Sequence, residues 1–192
     1  MVAAAAPPAR SDDELWHELR AGNRGAFDAI FRAHYARLVA TAQAIVGERA
    51  AAEELAQDVM LELWRRRGSL ILESTPAAYL HRSARNRALN YVRHERVTRR
   101  AEPQLAAAAA PPASPDHAVR EAEIDAAVRA AVNSLPARCR EVFELSRVQG
   151  LRYVEIAEVM GISVKTVEAQ MAKALRVLRA QLAPWLPDVE IG

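Results

Sequence analysis

One cysteine, Cys139, stands among 192 residues. A single thiol excludes an internal disulfide and any zinc or iron–sulfur site built on clustered cysteines. Glycine is scarce as well, seven residues against 41 alanines. That ratio favours helix and disfavours collagen-like or turn-rich β architecture. Aromatic residues make up 5% of the chain, too few for a β-sandwich or barrel. No apolar run reaches the ~18 residues of a membrane span. The opening Ala4-Ala5-Ala6-Pro7-Pro8 has neither the basic nor the apolar stretch of a secretory signal. A dominant charge is lacking too: 26 basic and 24 acidic residues leave a net of +2. Taken alone, that sum argues against a nucleic-acid binder. The hydrophobic fraction of 51% is enough for a real core. The expectation is a soluble, reduced, cytoplasmic, all-α protein of one or two small domains.

The small net charge hides an uneven distribution. Residues 76–101 carry seven arginines against one acid, Glu95, a local net of +6. Lys165 and Lys173 are the only lysines; the other basic residues are arginine, which suits bidentate phosphate contacts.

Helical punctuation organises the chain. Ser11-Asp12-Asp13-Glu14 reads as a capping box for a short helix, Leu15 to about Ala21, which Gly22 and Gly25 break. Phe27, Ile30, Phe31, Leu38, Val39, Ala42, Ile45 and Val46 follow steps of three and four and predict a long amphipathic helix ended by Gly47. Leu55, Val59, Met60, Leu63 and Trp64 predict the next, from about Ala51 to Arg67. A loop with exposed-looking Leu70, Ile71 and Leu72 follows. Thr75-Pro76 then gives an N-cap with proline at the first helical position, opening a basic helix to about Arg96. Residues 101–117 hold four prolines and a run of alanines, a flexible linker and the domain boundary. Beyond it, helices are expected from Val119 to Asn133 with Ile124, Val128 and Val132, and from Leu135-Pro136 to Gly150 with Val142, Phe143 and Leu145 inside. A short helix from Tyr153 to Met160 and a last one from Val164 to about Leu182 complete the order, with Val167, Met171, Leu175 and Leu178 on one face.

The stretch from Tyr153 to Glu168 is the strongest local signal. A short helix with small Ala157 at the crossing point, a turn at Gly161 and a second helix capped by Ser163 describe a helix-turn-helix. Ile162 and Val167 would plug its core. Its second helix would lie in a DNA major groove, with Ser163, Lys165, Thr166, Glu168, Gln170 and Lys173 toward bases or phosphates. An ordinary helical hairpin closed by glycine is the bland alternative. That helix is only weakly basic, so DNA binding needs help from elsewhere. The basic helix supplies it: Arg82, Arg85, Arg93 and Arg96 carry phosphate-neutralising charge and Asn86 and Asn90 can read base edges. Tyr79 and Tyr91 could stack on unpaired bases, although a plain core role suits Tyr91 better. The alternative here is a solvated basic face beside the acidic helix before it.

Together the two halves resemble the bacterial RNA polymerase sigma factors of the extracytoplasmic-function (ECF) class. The resemblance rests on Phe27–Tyr35, Ala52–Trp64, Pro76–Arg93, Leu135-Pro136 and the helix-turn-helix, in that order around the linker. It implies two small helical domains and no catalytic site or cofactor. It implies a region 2-like domain at 25–100, a linker at 101–118 and a region 4-like domain at 119–183, with tails at 1–24 and 184–192. It implies that Glu54, Gln57 and Asp58 contact the β′ clamp helices of core RNA polymerase and that the β flap meets the second domain. From the residues alone, the same three read as a solvated acidic face. The basic helix and the loop before it would recognise the −10 promoter element and hold a flipped base. The last helix would read the −35 element, and an anti-sigma factor is an expected partner. Where the family usually has a basic residue and Ser-Arg after Thr-Val, this chain has Glu168, Ala169 and Gln170. A dimeric helix-turn-helix regulator outside polymerase is the other reading. An enzyme is disfavoured, because the five histidines are dispersed and no nucleophile elbow or phosphate loop is present.

Overall fold

The computed structural model describes residues 11–72, 74–99 and 118–185, with the side chains of 96–99 and 118–122 left out. The N-terminal residues 1–10, the linker at 101–117 and the tail from 186 lie outside the described residues. Within them the secondary structure is helical: α1 (Asp12–Arg20), α2 (Arg24–Val46), α3 (Arg49–Arg66), α4 (Pro76–Arg99), α5 (Ala118–Asn133), α6 (Ala137–Arg147), α7 (Tyr153–Met160), α8 (Val164–Leu182) and a 3₁₀ turn, Ala183–Trp185. The chain divides into two compact units between Glu95 and Arg96, with Glu158–Gly161 grouped with the first.

The expected capping box forms. Ser11 Oγ accepts from the Glu14 amide at 3.3 Å, and the Ser11 amide donates to Glu14 Oε2 at 2.8 Å. The cap places the helix start at Asp12 rather than Leu15. Gly22, at φ 87°, ends this helix region, but Gly25 breaks nothing. It sits in the first turn of α2, where its amide and that of Ala26 donate to Asn23 Oδ1. Asn23 is thus the N-cap of α2.

Four helices share the first core. Leu19, Leu38, Leu63 and Leu80 reach it with no exposed surface, and so do Ala26, Ala42, Ala52, Ala56, Ala84 and Ala88. Alanine at such contacts lets helix axes approach closely. Leu70, expected to be exposed, is a core residue at 5% exposure, and Leu72 packs half-buried against the same cluster. Ile71 alone of the three turns outward, at 83%. The loop follows a helix end, so three adjacent apolar residues point in different directions rather than along one stripe. Tyr79 packs edge-on to Trp16, ring centroids 6.0 Å apart, and is a packing residue. The second unit has its own core of Ala131, Leu135, Cys139, Ala174 and Leu178, flanked by Val132, Phe143, Val177 and Leu182. Ile124 and Val128, read as the apolar face of α5, are each 39% exposed.

Two buried histidines were given no role by the sequence. The Thr41 hydroxyl donates to the Arg37 carbonyl at 3.0 Å, so it can only accept at its 2.9 Å contact with His81 Nδ1. His81 therefore carries its proton on Nδ1 and ties α4 to α2. His34 is buried with Nε2 3.4 Å from Asp12 Oδ2, while its Nδ1 has no partner. Burial holds its pKa below the ordinary 6.5, opposed by the Asp12 carboxylate and reinforced by Arg37.

The sign of the resulting pH dependence is fixed. The unfolded chain binds a proton on His34 near pH 6.5 while the fold resists it. Stability from this site is therefore complete above that pH and falls as the pH drops through it. Urea unfolding at about pH 7.5 and about pH 5.5 should show weaker folding at the lower pH. His34→Gln should reduce that difference; an unchanged difference would contradict the assignment.

Candidate nucleic-acid interface

The start of α4 is set by Thr75, whose Oγ1 accepts from the Ala78 amide at 3.2 Å, with Pro76 at the first helical position. Leu80, His81, Ala84 and Ala88 are buried, so one side of α4 is committed to the core. Helical geometry then turns Arg82, Asn86, Asn90 and Arg93 to solvent, and all four are exposed. Leu89, at 37%, lies among them. Arg85 and Tyr91 are half-buried. The side chain of Arg96 lies outside the described residues. Arg87 of the basic segment is partly neutralised: its Nη1 lies 3.6 Å from Asp58 Oδ2, both partly exposed. Such an exposed pair contributes little to stability.

The adjacent α3 has an equally clear division. Ala52, Ala56, Val59, Met60 and Leu63 are buried. Glu54, Gln57 and Asp58 are exposed on the other side, at steps of three and one. Gln57 Nε2 donates to the Tyr35 hydroxyl at 3.4 Å. Leu61, 44% exposed, extends this row by one turn. Sequence reading missed it, although its position three residues after Asp58 on the same face was a usable signal. The α3 row thus combines two carboxylates, an amide and an apolar group, whereas the α4 row offers cations and amides.

In the second unit, the turn between α7 and α8 has helix-turn-helix geometry. Glu155 caps α7 by accepting from the Arg152 amide at 2.8 Å and from its guanidinium Nε at 3.3 Å. This cap was not anticipated. Gly161 adopts φ 65°, where a side chain would be strained, and the Ile162 amide reaches back to the Ala157 carbonyl at 3.0 Å. Ala157 is buried, as the crossing requires. Ser163 Oγ then accepts from the Thr166 amide at 3.1 Å and lies 2.8 Å from Thr166 Oγ1.

The buried face of α8 is Val167, Met171, Ala174 and Leu178. Leu175, expected there, is 41% exposed. It follows Val167 by eight residues and so sits about 80° around the helix, while Ala174 fills the core position. Lys165, Glu168 and Lys173 face solvent; Thr166 and Gln170 are half-buried. Three of the six expected contact residues have prior partners: the Ser163 hydroxyl caps the helix and pairs with the Thr166 hydroxyl, and Gln170 Oε1 accepts from Cys139 Sγ at 2.9 Å. Among the described residues no three of His, Cys, Asp and Glu gather as a metal site. No described helix is long and apolar enough to cross a membrane.

Comparison with known proteins settles the family. Residues 30–98 match the family model Sigma-70 region 2, and residues 125–178 match Sigma-70, region 4. The chain is 31% identical over 183 residues to the ECF RNA polymerase sigma factor SigM of Mycobacterium tuberculosis, covering 95% of this chain and 88% of that protein. The chain belongs to the ECF RNA polymerase sigma factors. It is an initiation factor that directs transcription. The ECF sigma factor SigK of Mycobacterium ulcerans is 29% identical over 179 residues, 90% of this chain and 95% of that protein. The sigma factor RpoE of Bartonella quintana, solved with the anti-sigma factor NepR, has the same fold at a TM-score of 0.62 and 22% identity, covering 81% of this chain and 95% of that one. In this sigma factor the region 2 match takes in most of α2, all of α3 and nearly all of α4; the region 4 match takes in α7 and α8 as far as Leu178.

The Ser163 cap gives a direct stability test. Ser163→Ala should cost the region 4 unit about 1 kcal/mol, because the Thr166 amide loses its acceptor. Denaturant titration followed by region 4 signals checks this, and a cost near zero would show the cap to be dispensable.

Proposed function

We propose that this sigma factor divides its contacts by helix face. The outward row of α3, Glu54, Gln57 and Asp58 together with Leu61, docks on the β′ clamp helices of core RNA polymerase. The outward row of α4, Arg82, Asn86, Asn90 and Arg93, together with Arg85 and Arg96 of the same helix, engages the −10 element as it melts. The loop before α4 receives the flipped base, whose unpairing costs a few kcal/mol that capture offsets. The α8 residues Lys165, Thr166, Glu168, Gln170 and Lys173 meet the −35 major groove, with Ser163 acting chiefly through its cap. We assign 25–100 as the region 2-like domain and 119–183 as the region 4-like domain, the latter also meeting the β flap. The protein works in the cytoplasm, has no chemistry or cofactor of its own, and is held inactive by an anti-sigma factor. A sigma factor of the same fold was solved with such a partner.

The observation that carries this reading is the pair of exposed rows on α3 and α4, one carrying carboxylates and the other arginine and asparagine. A single row of mixed charge would suit neither partner. Ile71, at 83% exposure in the loop, supports a receptive role there. An exposed apolar group gains by being buried against a base or a protein.

Replacing Glu54, Gln57, Asp58 and Leu61 together by Ala should weaken core polymerase binding by tenfold or more, with helicity by circular dichroism unchanged. Arg82→Ala with Arg93→Ala should leave core binding intact and lower promoter affinity. The double variant should also reduce the salt dependence by roughly one to two phosphate contacts. Retained core binding in the first variant would refute the docking surface; an unchanged salt slope in the second would refute the α4 assignment.

A further inference from the structure

We infer that Cys139 is a positioning residue for promoter reading, holding the Gln170 amide so that α8 offers the −35 groove its two N–H donors and withholds its acceptor. This rests on the assignment of α8 to the −35 element. Cys139 lies in the first turn of α6 and is 1% exposed. Its Sγ stands 2.9 Å from Gln170 Oε1. A thiol can donate its S–H to a carbonyl oxygen, so the oxygen end of the amide is occupied and turned toward α6. Among the described residues the Nε2 end has no protein partner, and it is not a buried orphan. Gln170 is half-buried at the edge of the outward row, one turn from Thr166 and three residues from Lys173.

The consequence is chemical. A free glutamine reads adenine with both ends of its amide, accepting from N6 and donating to N7. With Oε1 turned toward α6 by the thiol, only the N–H end of the amide is presented to the groove. Guanine presents two acceptors to such a group, O6 and N7, whereas thymine presents only O4, adenine only N7 and cytosine none; the N6 donor of adenine and the N4 donor of cytosine find no acceptor. Gln170 thus behaves as an uncharged, donor-only reader, and Cys139 makes it one from behind the helix.

The test uses the complete sigma factor bound to core polymerase and a promoter library randomised across the −35 element. Bound DNA is sequenced for wild type, Gln170→Ala, Lys165→Ala, Cys139→Ala and Cys139→Ser. The position read by Gln170 is the one that Gln170→Ala flattens. There the wild type should prefer guanine over adenine by about three- to tenfold. Cys139→Ala should raise adenine at that position about threefold or more by freeing the acceptor. Cys139→Ser, whose hydroxyl can donate to the same oxygen, should keep the wild-type preference. Thermal melts establish that both variants are folded. If Cys139→Ala leaves the preference unchanged while Gln170→Ala flattens it, the positioning role is wrong and the −35 assignment survives. If Cys139→Ser gains adenine like Cys139→Ala, the hydrogen bond is not the cause. If neither Gln170→Ala nor Lys165→Ala changes any −35 preference, the assignment of α8 falls and the inference falls with it.

Discussion

Close packing through small residues sets the rotation of every helix that matters here. Ala26, Ala42, Ala52, Ala56, Ala84 and Ala88 have no exposed surface in the first core, and Ala174 has none in the second. A helix packed through alanine has little freedom to roll, because its backbone lies against its neighbour and any rotation would bring a larger side chain into the contact. The inward face is thereby fixed, and the outward face with it. On α4, burial of Leu80, Ala84 and Ala88 puts Arg82, Asn86 and Arg93 in water. On α8, burial of Val167, Met171, Ala174 and Leu178 does the same for Lys165, Glu168 and Lys173.

That constraint explains how a chain with a net charge of +2 can serve as a transcription initiation factor. Charge summed along the sequence cancels; charge sorted by helix face does not. The carboxylates of α3 and the arginines of α4 occupy separate rows, which the Arg87–Asp58 pair links. Long-range attraction of the whole protein to DNA is weak under these conditions, and local contacts within an assembled polymerase carry the specificity.

Much of the fold was legible because its punctuation is chemical. Ser11, Gly47, Ser163 and Gly161 act where their side chains or backbones predict. The bounds of α7 and α8 follow from the caps and turn between them. What escaped notice depends on tertiary contact. Leu70 and Leu72 gave no periodic signal because they lie in a loop, so only the fold decides which apolar residue turns in. Leu175 was placed inside by a step of four from Met171, and a step of three to Ala174 won because it keeps the closer approach. The partners of His34, His81 and Gln170 lie 22, 40 and 31 residues away in sequence, beyond any local pattern. In the candidate site, residue types and rows were readable from the chain, whereas Leu61 and the bond between Cys139 and Gln170 needed the structure.

The central claim is that these rows become a promoter-binding surface only when α3 is docked on polymerase. The most direct measurement is the affinity of a fluorescent promoter duplex for the protein alone and for its complex with core polymerase, at one salt concentration, against a scrambled duplex. Specific binding should be absent for the free protein and present for the complex. Tight, specific binding by the free protein as a dimer, unchanged by core polymerase, would contradict the account.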